Sequence, residues 1–171
     1  MIYEKDNKSY KYFIIGLILG ILAKLFDIYF YVQHFRMSLS DIFSDMAIYI
    51  LIGVIISLYS KNKRYAMLNI FLFCIGLLFT YYGIAKITHS VYGVSFIKFW
   101  TVFAFISPFL AYLVVKTKEK GLLASFIKIG IIVVYIIISI FESVDILHIV
   151  ILFLLFILLF KRYKGEENEK V

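Results

Sequence analysis

A chain of 171 residues that is 63% hydrophobic, 17% charged and has a mean hydropathy of +0.96 falls outside the soluble class. Soluble domains run to roughly 45–50% apolar and about 25% charged, so the excess apolar surface must be solvated by lipid. The net charge of +7 does not point to nucleic acid, because the basic residues fall in short clusters between apolar runs, which is the pattern of membrane orientation. The single cysteine, Cys74, forms no intrachain disulfide.

Charge bounds the apolar runs, in chain order, at residues 12–31, 42–60, 66–85, 94–115, 121–141 and 146–160. The expected fold is all-α: an integral membrane bundle of six transmembrane helices over residues 12–160. Residues 1–11 form a cytoplasmic N-terminal segment and 161–171 a cytoplasmic tail. A hydrocarbon core of about 30 Å takes roughly 20 residues of helix, a length the first five runs reach. The sixth, bracketed by Asp145 and Lys161, reaches only about 22 Å at 1.5 Å per residue and is the shortest. Glu142-Ser143-Val144-Asp145 before it reads as a tight polar turn.

Sidedness follows from lysine and arginine, which concentrate in cytoplasmic loops. With the N-terminus inside, the inner segments hold Lys5, Lys8, Lys11, Lys61, Lys63, Arg64, Lys116, Lys118, Lys120, Lys161, Arg162, Lys164 and Lys170, whereas the outer ends hold Arg36, Lys86 and Lys98. The alternation supports six spans, since five would place the Lys161-Arg162 cluster on the wrong side. The first run is too long for a signal peptide and no small-residue cleavage site follows it, so it is expected to be retained.

Ionisable groups within spans cost about 2.5–3.5 kcal/mol at the bilayer centre on insertion scales and are candidate functional residues. Lys24 and Asp27 are three apart on one face of the first run: a local ion pair, or an acid at the rim of an outward-facing cavity with a base beneath it. Asp45 is expected one turn into the second run, facing the same way as Asp41. Lys128 is expected to snorkel to the inner surface. His34, His89 and His148 all fall at outer ends, so that mouth collects acids, bases and every histidine. Lys24, Asp27, His34 and Asp45 are the expected ligand-binding or coupling residues.

Other chemistry is weaker. Glu142, Asp145 and His148 at i, i+3 and i+6 would share a face only if the sixth helix began early, and hard carboxylates with one histidine at a turn make a poor closed site. No metal site is expected. No Gly-x-Ser-x-Gly or His-Glu-x-x-His is present, and Cys74 lies at mid-span, away from the histidines, so no enzyme activity and no cofactor are expected. Gly16-x-x-x-Gly20 with Ala23 lets another helix approach the first closely, either in the same bundle or in a partner subunit. Pro108 removes a backbone donor from the fourth helix and is expected to kink it.

Gly20-Ile-Leu-Ala-Lys-Leu-Phe-Asp-Ile-Tyr, Phe71-Leu-Phe-Cys-Ile-Gly, Thr80-Tyr-Tyr and Ser107-Pro resemble segments of a group of uncharacterised small Firmicute polytopic membrane proteins. That resemblance implies a multi-pass protein of a Gram-positive plasma membrane. In architecture, six helices with both termini inside and a small-residue first helix are similar to the substrate-binding subunits of energy-coupling-factor transporters. Those subunits bind vitamins from outside and dock through small residues of their first helix. The expected function is thus binding or transport of a small solute from the outer face. The alternatives are a non-catalytic partner or immunity subunit of a larger complex and, residually, an intramembrane enzyme acting on lipid-linked substrates. The expected partners are the lipid bilayer and a possible membrane subunit, with no nucleic acid.

Overall fold

The computed structural model describes residues 9–29, 45–90, 93–142 and 144–161. These form six helices and, among the described residues, no strand: α1 (Tyr10–Tyr29), α2 (Met46–Tyr59), α3 (Lys63–Ile87), α4 (Val94–Lys116), α5 (Leu122–Glu142) and α6 (Ile146–Phe160). Four of them, α1, α3, α4 and α5, are long and apolar enough to cross a membrane.

The second apolar run is the exception among the five expected to span on length alone. Its described helix starts at Met46 rather than near residue 42, because Asp45 takes extended backbone angles and caps the helix, accepting from the Ala47 N–H at 2.7 Å. α2 therefore has 14 residues and α6 has 15, about 21 and 22 Å of helix. Asp145 caps α6 in the same way, through the His148 N–H at 3.1 Å.

The solvent can be read from what is buried. Large apolar side chains such as Phe105, Phe109, Phe126 and Phe141 face outward, while much of the interior holds small or polar residues: Ala23, Ala47, Ala66, Ala104, Ser57, Ser107 and Asn69. A water-soluble bundle does the reverse, and so extensive an apolar exterior marks a surface covered by lipid.

α1 lies directly on α3. A Cβ on Gly16 would sit 2.2 Å from the Phe73 carbonyl oxygen, and one on Gly76 would sit 2.5 Å from that of Phe13. Facing glycines thus bring the two backbones together, and Thr80 seals the contact by donating to the Leu17 carbonyl across it at 2.9 Å. The registers 16 to 73 and 20 to 77 increase together, so α1 and α3 run parallel. The small-residue face of α1, with Gly16, Gly20 and Ala23 all buried, is taken up within the chain.

α2, α5 and α6 share a core of Ala47, Val54, Leu58, Tyr135, Ile151, Leu155 and Leu159. Ile56, Ala66, Ile70, Phe73, Ala111 and Val115 join α2, α3 and α4 in another. The α2–α3 turn is fixed by Asn69, which donates to the Ser60 hydroxyl at 2.9 Å, while that hydroxyl donates to the Ile56 carbonyl. At the same end Lys63 pairs with Glu119 of the α4–α5 turn, holding that carboxyl below its usual range.

α4 continues helically through Pro108. The proline has no N–H to give the Ala104 carbonyl, and the Ser107 hydroxyl supplies the missing donor at 2.8 Å. Ser107→Ala should therefore orphan a buried carbonyl and cost about 1–3 kcal/mol in detergent unfolding, whereas Ser107→Thr should keep most of the stability.

Candidate functional site

The expected site residues separate into two groups near the same end of the bundle. The first is built on the α1–α3 pair. Lys24 is 1% exposed and pairs with Asp27 at 2.6 Å, one turn further along α1. Tyr81 of α3 completes the group, its hydroxyl donating to the same Asp27 oxygen at 3.2 Å and its ring lying 5.0 Å from the Lys24 ammonium. Both readings of the Lys24/Asp27 spacing therefore have a counterpart: the residues form a local ion pair, and Asp27 also lines a cavity.

The second group is built where α2 and α6 begin and α5 ends. Asp45 caps α2 through one carboxylate oxygen, and its other oxygen lies 3.4 Å from His148 Nε2. Glu142, the last residue of α5, accepts from the Met46 N–H at 3.1 Å and turns its second oxygen to within 3.7 Å of the same nitrogen. On the other side of the ring, Asp145 lies 2.8 Å from His148 Nδ1. A carboxylate only accepts, so Nδ1 carries the proton and donates. Burial works against the charge on Asp145, but the hydrogen bonds from the His148 ring and backbone outweigh it and leave this carboxyl below the usual range. His148 is 4% exposed, and Tyr135, itself buried, donates to its backbone carbonyl at 2.9 Å.

This geometry differs from the expected one. Glu142, Asp145 and His148 do not share a helix face, because the turn between α5 and α6 separates the first from the other two. Asp45 is a helix cap beside this group rather than a residue one turn inside a span. His34 lies outside the described residues. His89 is exposed at the end of α3 with φ of 50°, and Lys128 holds its ammonium 5.3 Å from the Phe160 ring. The Glu-x-x-Asp-x-x-His spacing was visible in the sequence, but the acid that completes the group comes from another helix, and no local pattern marks that.

Between α2, α3, α4 and α5 lies a partly open cavity of about 990 Å³. Its wall is largely apolar and aromatic. Trp100 stands edge-on to Tyr49, Phe99 and Phe103, and Tyr81 stands edge-on to Tyr82. Asp27 and Glu142, one from each polar group, are its carboxylates among the described residues. An apolar cavity of this size with a few convergent polar groups is the usual form of a small-molecule site. The cavity exists because small residues, Gly53, Ser57, Ala111 and Gly130, stand along its wall where large ones would fill it.

No family model matches the chain, and no curated protein or solved structure matches it either.

Proposed function

We propose that the protein spans the membrane six times with both termini cytoplasmic and binds a small, largely apolar solute from the outer face, for storage or transport rather than catalysis. The aromatic cavity of about 990 Å³ with carboxylates at its acidic end carries this reading. The opposite end carries Lys63, Arg64, Lys116, Lys118 and Lys120, and the positive-inside bias assigns that end to the cytoplasm. The acidic end then faces out. α2 and α6 are short for a full crossing. They pack side by side in one core and need only local thinning of the bilayer or shielding by the longer helices. A role as a docking subunit draws less support, since the small-residue face of α1 is occupied by α3.

Trp100 is the sole tryptophan of the chain and lines the cavity, so its emission reports on occupancy. Titrating the purified protein in nanodiscs with aromatic probes, neutral naphthol and cationic tetraphenylphosphonium, should quench Trp100 saturably. Gly130 lines the same cavity, and a Cβ there meets nothing within 4 Å, so Gly130→Phe should fill the space without strain and abolish the response. Linear, unsaturable quenching by every probe, or quenching unchanged in Gly130→Phe, would reject the reading.

A further inference from the structure

His148 Nε2 is a buried polar atom with no hydrogen-bond partner. Nδ1 already donates to Asp145, so Nε2 points its free position at the second oxygens of Asp45 and Glu142. At 3.4 and 3.7 Å these lie beyond hydrogen-bonding range, which ends near 3.2 Å for N–H···O. They do lie near the separation of two ligands on one tetrahedral ion: bonds of about 2.0–2.2 Å place neighbouring ligand atoms roughly 3.3–3.6 Å apart. All three candidate ligand atoms fall within 4.8 Å of one another.

We propose that Asp45, Glu142 and His148 form a binding site for a divalent transition-metal cation of the Zn²⁺ or Mn²⁺ class, with Asp145 as the outer carboxylate that fixes the histidine. The two carboxylates balance the charge of the cation. The backbone N–H groups of Ala47 and Met46 occupy the other oxygen of each acid, which holds both carboxylates in place without taking the oxygens turned toward Nε2. A carboxylate on the far ring nitrogen of a metal-binding histidine selects the tautomer and raises the basicity of the ligand, the part Asp145 plays here. One imidazole among carboxylates suits Zn²⁺ or Mn²⁺ better than the all-oxygen sites of Ca²⁺ and Mg²⁺. Three protein ligands leave a coordination position open, and Glu142 is also part of the cavity wall. The site stands on its own geometry and does not depend on the cavity holding a solute.

Co²⁺ is the probe of choice, because its visible absorption distinguishes tetrahedral from octahedral coordination. Chelator-stripped protein in nanodiscs should bind one Co²⁺ with a tetrahedral spectrum, displaceable by Zn²⁺. His148→Gln should weaken binding by about 100-fold or more and erase that spectrum. Asp145→Asn keeps a good helix cap and a hydrogen-bond acceptor while losing the charge, so it should weaken binding about 10–100-fold with the spectrum retained. His89→Ala should bind as wild type. Thermal unfolding without metal controls for folding, and if His148→Gln fails it, the wild-type spectrum and Asp145→Asn decide. Wild-type protein that takes up no stoichiometric Co²⁺, or His148→Gln binding as tightly as wild type, overturns the proposal and leaves the group a histidine held among carboxylates.

Discussion

Gly76→Ala is expected to lower the unfolding free energy by about 3 kcal/mol or more, at or beyond the upper end for overpacking a tight interface. The added Cβ would meet the Phe13 carbonyl oxygen at 2.5 Å and the Leu17 nitrogen at 3.1 Å, both backbone atoms of a helix that cannot turn aside as a side chain can. α1 would have to move away from α3 along the whole contact, breaking the bond from Thr80 to Leu17. Gly83 supplies the internal control: it lies on the same helix, and a Cβ there meets nothing within 4 Å. The same substitution at Gly83 removes only the helix penalty of glycine and should be neutral or stabilising by up to about 1 kcal/mol. Denaturant unfolding in a mild detergent, followed through Trp100 emission, measures both. Equal effects at the two positions would mean that the α1–α3 backbones are not in contact.

That contact was half legible in the sequence. Gly16-x-x-x-Gly20 with Ala23 announced a close helix neighbour, but a small-residue stripe does not say whether the neighbour belongs to the same chain. The answer lay in Gly76, whose spacing to the next glycine on its helix forms no motif. Helix boundaries were only partly legible from charge: α1 begins at Tyr10, ahead of Lys11, and α3 runs from Lys63 to Ile87, past the Arg64 and Lys86 that bounded the expected run. Asp145 and Lys161 bracket α6, and it runs from Ile146 to Phe160 as expected. The start of α2 was not legible, because Ile42-Phe43-Ser44 is apolar enough to extend a run while Asp45 prefers to cap one. The polar group around His148 stayed illegible for a related reason: the Glu142, Asp145 and His148 spacing counts residues along one helix, whereas the chain turns between Glu142 and Asp145 and the fourth member arrives from α2. The cavity left only scattered small residues as a signal, Gly53, Ser57, Ala111 and Gly130, which stand on three different helices that no local pattern joins.

Asp27→Asn is expected to destabilise the protein by about 1.5–3 kcal/mol, because it takes away the carboxylate that accepts from the buried Lys24 ammonium at 2.6 Å. The two sides of this pair are unequal. Lys24 is 1% exposed and cannot reach water without moving the helix, whereas the Asp27 side chain is 32% exposed and stands at the cavity. Removing the lysine instead, with Lys24→Met of similar volume, leaves a carboxylate that water can reach and that Tyr81 still hydrogen-bonds, so the loss should be about 1 kcal/mol or less. The double variant Lys24→Met/Asp27→Asn should fall near the lysine variant alone, giving a large coupling energy in the cycle. Equal losses from the two single changes would show that Asp27 is not the main support of the Lys24 charge. The cycle also settles what Asp27 does for a solute. A binding defect in Asp27→Asn alone is ambiguous, because the pocket wall is weakened together with the charge. The double variant keeps the fold and removes the carboxylate, so loss of tetraphenylphosphonium binding there would assign Asp27 to the solute. Retained binding would confine it to the support of Lys24.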